Sequence, residues 1–321
     1  MERTSSENFI KKIRRAVSAL DRTFNLAVLV ILLLLLAFGC YALWDSRQVH
    51  TAASSTAYEV FKPTAENPGS LEELVRINPE AVGWLTIYGT GIDYPLMQAE
   101  DNRKYINTSA TGEYSLAGAI FLDYCSAPDF SDYRTLIHGH NMAENAMFGQ
   151  ISDFAQQDFF DSHRYGNVFY DHKDHGLIIF EYLQADAYDD DIYHSWPETE
   201  EEKTEYYDRL TARAKILSAD SFRDAGHIVV MSTCATGFTN ARDLLVGVIT
   251  EETFEDPFAK KDPAPVRMLR HTTHFPVPIL AVYVTVMLII LRRFLLYVFD
   301  RQSAYRASVR RKENNEGNPG I

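Results

Sequence analysis

Cysteine is scarce in this chain, with three in 321 residues. Basic side chains are in deficit too: 31 Lys and Arg stand against 44 Asp and Glu, a net charge of −13. That deficit excludes nucleic acid as an expected partner, because phosphate binding requires a basic footprint. Internal repeats are missing, and no cluster of residues makes a clear metal site. Asp189, Asp190 and Asp191 form an acidic run that reads as a solvated loop, so neither a metal nor a cofactor is expected. What is abundant excludes disorder: 46% of residues are hydrophobic and 12% aromatic, enough for a sizeable core.

Two long stretches lack charge. "FNLAVLVILLLLLAFGCYALW" (24–44) has 21 residues, which suits a membrane-spanning helix of about 20. Signal-peptide cores are shorter and end at small residues; "TAASSTA" (51–57) leaves cleavage open as an alternative. Lys11, Lys12, Arg14, Arg15 and Arg22 precede the stretch, and Asp45 with Arg47 follows it. The positive-inside rule then places the N-terminus in the cytoplasm. The second stretch, within "FPVPILAVYVTVMLIILRRFLLYVF", is uncharged for 17 residues, from Phe275 to Leu291, near the lower limit for a span. Its alternative is an apolar helix packed on the domain or lying in the membrane interface.

Arg301, Arg306, Arg310, Arg311 and Lys312 follow the second stretch, so both termini are expected in the cytoplasm of a membrane protein. The resulting organisation is a basic cytoplasmic N-terminus (1–23), a transmembrane helix (24–44), a stalk (45–69), an extracellular folded domain (70–251), a linker (252–274), a second transmembrane helix (275–298) and a basic cytoplasmic tail (299–321).

Period-two apolar patterning dominates the outer domain. "WLTIY" and "IDYPLMQ" flank "GTG" as a hairpin would. Further strands are expected at 117–124, 135–140, 167–172, 176–188, 227–234 and 241–249. Helices are expected at "SLEELVRI", over 143–154, and over 198–217, where acidic residues lead and basic ones close. Eight short strands with inserted helices indicate a mainly β barrel or sandwich.

Cys40 falls in the first apolar stretch, as a small apolar filler. Cys125 and Cys234 remain outside, where a disulfide between them is one reading. Cys234 has a second. It ends the run "HIVVMSTC" and opens a short loop, and Arg242 begins the next strand. Antiparallel pairing of these strands would return the guanidinium to the thiol, and a nearby cation favours the reactive thiolate. Such a donor can also stabilise an oxyanion. A proton-transfer partner is sought among ten histidines; "TLIHGHNM" puts His138 and His140 at the end of an apolar strand, and spacing does not choose between them. These residues alone reach a cysteine acyl-transfer site.

Several motifs, in order, resemble one family. "VMSTC…AR" is similar to the TLxTC…R signature of sortases, the membrane-anchored cysteine transpeptidases of Gram-positive bacteria, with Met231 where Leu is usual. "GHNM" resembles the class B histidine motif, and "INPEAVGWLTIYGTGIDYPLMQAEDNRKYI" with "AGAIFLDY" is similar to the class B pattern. The resemblance covers about residues 70–250. It implies a closed eight-stranded β-barrel with inserted helices, here flanked by two transmembrane helices. It selects His140 as general acid and base, makes Cys234 the nucleophile, and gives Arg242 the oxyanion.

The implied reaction cleaves a C-terminal sorting motif of a secreted surface protein through a thioacyl intermediate and passes the acyl group to an amine. A pilin lysine and a cell-wall precursor are the two acceptors to weigh. A second C-terminal membrane helix resembles the pilus-building sortases, so polymerisation of pilins is favoured over wall anchoring. The third alternative, from another class, is a non-catalytic membrane-tethered assembly module with Cys125 and Cys234 disulfide-bonded.

Overall fold

A computed structural model describes residues 2–64, 67–235, 239–259 and 292–293. The second apolar stretch, 275–298, and the basic tail lie outside the described residues, apart from Arg292 and Arg293. Residues 236–238 of the loop after Cys234 lie outside them as well.

Helix α1 runs from Glu2 to Ala53. Its apolar section has the length and composition to cross a membrane, and none of that section is buried against the protein. It is the one such helix among the described residues. It does not stop at Trp44, where a polar stalk was expected. The helix continues to Ala53, and 3₁₀ turns at Ser55–Ala57 and Glu59–Phe61 follow. Ala53 and Tyr58 are buried in the main core, so this segment is docked on the domain.

Nine strands follow: β1 (Ala81–Ile87), β2 (Asp93–Met97), β3 (Ile120–Leu122), β4 (Arg134–His138), β5 (Tyr165–Tyr170), β6 (Lys173–Asp186), β7 (Ile216–Leu217), β8 (Ile228–Cys234) and β9 (Ala241–Thr250). Eight of them close a barrel in the order β5-β1-β2-β3-β4-β8-β9-β6, with β6 returning to β5; the two-residue β7 only adds to β6. Closure leaves no long edge for another chain to pair with. The eight-stranded expectation therefore holds. Two neighbours are parallel, β2 with β3 and β4 with β8. Parallel strands need long crossovers, and the one from β4 to β8 carries β5 to β7 and most of the helices.

Helix α2 (Ser70–Ile77) buries Leu71 and Leu74. Helix α3 (Gln157–Ser162) and the single turn α4 (Asp190–Tyr193) are short. Helix α5 (Glu200–Thr211) starts at a capping box: Thr199 Oγ1 accepts from the Glu202 amide, and Glu202 Oε2 accepts from the Thr199 amide. The helix expected over 143–154 is not one. Its apolar spacing is real, but Glu144, Asn145 and Met147 have φ of 57°, 60° and 51°, and only a 3₁₀ turn, Gly149–Ala155, forms.

Alternation sorts the strand side chains into two cores. Val229 and Met231 of β8 pack with Ile137 and Leu245 in the main core. Ile228 and Val230 point the other way, onto Leu136, Leu244, Val246 and the α5 residues Tyr206 and Leu210.

Glu181, on β6, is fully buried, and neither carboxylate oxygen has a partner among the described residues. Burial alone raises its pKa to about 8. The folded state therefore keeps a proton that the unfolded chain releases above its ordinary value near 4.3. Stability should fall as pH rises through that window, with the full penalty reached above pH 8. Glu181→Gln is expected to match the parent below about pH 4 and to exceed it by roughly 3–5 kcal/mol above pH 8. Thermal unfolding in detergent at both pH values checks this; equal shifts at both would refute it.

Candidate active site

The parallel pair sets the site. β4 and β8 run together to the register His138↔Ser232, so their ends emerge at one rim of the barrel. Two residues further along each chain stand His140 and Cys234. β9 runs back against β8 with Cys234 directly opposite Arg242. Opposed side chains on an antiparallel pair have Cβ atoms about 4.5–5.5 Å apart. The expected antiparallel pairing of the two strands is what forms, with Arg242 opposite Cys234.

By parity, Cys234 and Arg242 continue the outer set of Val230 and Leu244, beside the α4–α5 layer. Cys234 is exposed at the strand end, and Arg242 is half-buried, its Nη1 donating to the Ala241 carbonyl at 3.2 Å. Tyr193 of α4 reaches the same face: its hydroxyl and Ser232 Oγ are 2.8 Å apart. Burial pushes the Tyr193 phenol up to about 12, partly countered by the Ser232 bond and the charge of Arg242.

His140 lies just past β4, and its Nε2 is 2.7 Å from the Ile106 carbonyl. A carbonyl only accepts, so Nε2 carries a proton and Nδ1 is left for exchange. Gly118 lets the chain come this close. Its φ is +61°, and a Cβ there would meet the Tyr105 and Ile106 carbonyls at 2.4 and 2.7 Å. Asn141 closes the rim, its Nδ2 donating to the Cys234 carbonyl at 2.7 Å.

His138 has other work. Its Nε2 is 3.0 Å from Asp123 Oδ2, and its ring centre is 5.2 Å from that of Phe121. Burial disfavours the Asp123 carboxylate, yet His138, the Cys125 amide and Asn102 outweigh it and hold the acid below its usual range. The strand expected over 135–140 ends at His138, so strand alternation does not extend to His140. His138 is thus occupied within the wall.

The three cysteines are free thiols, which removes the disulfide behind the assembly-module reading. Asn141 was inside a quoted motif without a role, and Ser232 was findable from its period-two relation to Cys234. Tyr193 and the Ile106 carbonyl left no local signal, because only the long crossovers bring them here. The acidic run expected as a loop is instead the start of α4: Asp189 stands at its N-cap and Asp191 within it, and both pair with Arg213.

No family model matches the chain. Sortase B of Listeria monocytogenes is 29% identical over 195 residues, which are 60% of this chain and 76% of that one. Among solved structures, a class B sortase involved in pilus biogenesis from Streptococcus pyogenes is 33% identical, covering 56% of this chain and 97% of that one with a TM-score of 0.51. Clostridium perfringens sortase B is 28% identical, covering 56% and 98% with a TM-score of 0.52. Nearly the whole of each solved domain thus finds its counterpart in the barrel that carries this rim, and the chain belongs to the class B sortases, cysteine transpeptidases.

Proposed function

We propose that this sortase joins secreted surface proteins to an amine acceptor at the rim of the barrel, with Cys234 as nucleophile, His140 as proton carrier and Arg242 at the oxyanion. The observation that carries this reading is the Cys234↔Arg242 register next to the parallel β4–β8 ends. The thiolate attacks the backbone carbonyl of a C-terminal sorting motif, and Arg242 faces the oxygen as charge develops. His140 protonates the departing amine, leaving a thioacyl enzyme. It then takes a proton from the incoming amine, which attacks the thioester and releases Cys234.

The substrate class we favour is a pilin-like subunit, with a lysine side chain as acceptor. The similar Streptococcus pyogenes enzyme is one involved in pilus biogenesis. A second apolar stretch at 275–298 would fix the domain to the membrane at both ends, where confinement raises the effective concentration of membrane-held subunits. Basic clusters at both chain ends favour cytoplasmic termini and an extracellular domain; a C-terminal tag cut by protease on intact protoplasts would refute that orientation. Deleting the gene is expected to remove a high-molecular-weight ladder from denaturing gels of surface extracts. An intact ladder, with a monomeric surface protein released to the medium, would refute polymerisation and favour anchoring to a cell-wall precursor.

A further inference from the structure

The loop that follows His140 is strained. Between His140 and the 3₁₀ turn at Gly149, Glu144, Asn145 and Met147 sit in the left-handed region. Side chains with a Cβ adopt it at a cost, smallest for Asn, and persist there only when the surroundings hold them. The loop is pinned back on itself at two points: Asn141 bridges Met147, and the Phe148 amide donates to the His140 carbonyl at 2.9 Å. Whatever fixes Met147 therefore fixes the backbone at the His140 carbonyl and Asn141.

Tyr94 of β2 supplies that hold from outside the loop. Its hydroxyl accepts from the Met147 amide at 2.9 Å and donates to the Ala53 carbonyl at 2.7 Å. Both bonds are buried: Tyr94 is 2% exposed, and Ala53 and Met147 are 0%. Ala53 is the last residue of α1. One phenol oxygen thus joins the end of the long apolar helix to the histidine loop. The Tyr58 ring, 6.3 Å from that of Tyr94 and edge-on, holds the phenol from the same docked segment.

We propose that Tyr94 is a positioning residue, and that the docked end of α1 is a working part of the catalytic domain because it holds, through Tyr94, the loop that aims His140 at Cys234. This rests on the reading of His140 and Cys234 as a pair. Undocking Ala53 would leave the phenol half-satisfied and the left-handed loop without its outer brace. The histidine would then be less well aimed, while the barrel stayed folded.

The test uses the full chain in detergent micelles and iodoacetamide as probe. Alkylation of Cys234 is followed against pH by mass spectrometry, with Cys125 in the same sample as internal reference. His140→Ala should slow alkylation of Cys234 at pH 7 by about tenfold and change its pH profile, and Tyr94→Phe should do the same, because the thiolate share depends on a positioned neighbour. Ala53→Glu, which leaves every barrel side chain in place, should do likewise, so the question survives a Tyr94 variant that does not fold. A parent-like profile in both Tyr94→Phe and Ala53→Glu, with His140→Ala shifted, overturns the tether alone. An unshifted His140→Ala overturns the pairing and the tether together. Amide exchange at Met147 and Phe148 should quicken in both tether variants, and unchanged protection also overturns the proposal.

Discussion

Replacing Cys234 with alanine is expected to remove acyl transfer completely. The reaction needs a group that bonds to a carbonyl carbon and leaves again, and among the described residues the rim holds no second one of comparable reactivity. Ser232 has its hydroxyl in a bond with Tyr193. Cys40 lies in the apolar section of α1. Cys125 follows β3, and β3 runs antiparallel to β4, away from the rim. A thiol is also hard to replace in kind. A few per cent is already thiolate near pH 7, and a neighbouring cation raises that share, whereas an alcohol stays protonated. The variant should keep the barrel, because Cys234 is exposed and buries nothing. The measurement is product formation by purified Cys234→Ala on a peptide with the sorting signal of a neighbouring surface-protein gene, with circular dichroism to verify the fold. Amine-joined product above the uncatalysed background would refute the assignment.

How far the sequence led can be judged residue by residue. The strands were legible because their apolar residues alternate or run together, as in "HIVVMSTC", and nothing in the tertiary structure opposed that. α5 was legible through its charge gradient, and its start is fixed by Thr199 and Glu202 as a local motif would be. It stops at Thr211, however, and Ile216 and Leu217 at the end of the expected helix pair with β6 as β7. The 143–154 segment misled, because Met147, Phe148, Ile151 and Phe154 have helical spacing and are buried as they would be in a helix. Its backbone is instead held by the partners of Met147 and Phe148, among them Tyr94, 53 residues away. Spacing records which residues are buried; it does not record which chain satisfies their amides.

The site shows the same division. Cys234 and Arg242 are eight residues apart in the sequence, so their pairing followed from local pattern. His140 is 94 residues from Cys234, and only the parallel β4–β8 register, closed by a crossover of several elements, sets them at one level. Spacing left two histidines open, and family resemblance selected one of them. Consistent with that choice, His138 is bound to a carboxylate within the wall, whereas among the described residues His140 has one hydrogen-bond partner for its ring, a backbone carbonyl.

That difference predicts opposite consequences for the two rings. His140→Ala is expected to lower transfer by about 10²–10⁴-fold, the usual contribution of a positioned proton carrier. Its stability should change little, since the half-buried ring gives up one bond, to the Ile106 carbonyl. His138→Ala should do the reverse. It leaves the Asp123 carboxylate, 10% exposed in its side chain, without its main partner, at a cost of about 1–3 kcal/mol. Asp123 keeps the Cys125 amide and Asn102, so the folded fraction should still transfer. The two are separated by measuring turnover and melting temperature on the same preparations, over a range of pH. The shape of the pH profile should change in His140→Ala and stay as in the parent in His138→Ala. Parent-like turnover in His140→Ala, beside a folded but inactive His138→Ala, would mean that the wall histidine carries the proton and that the rim is used from its other side.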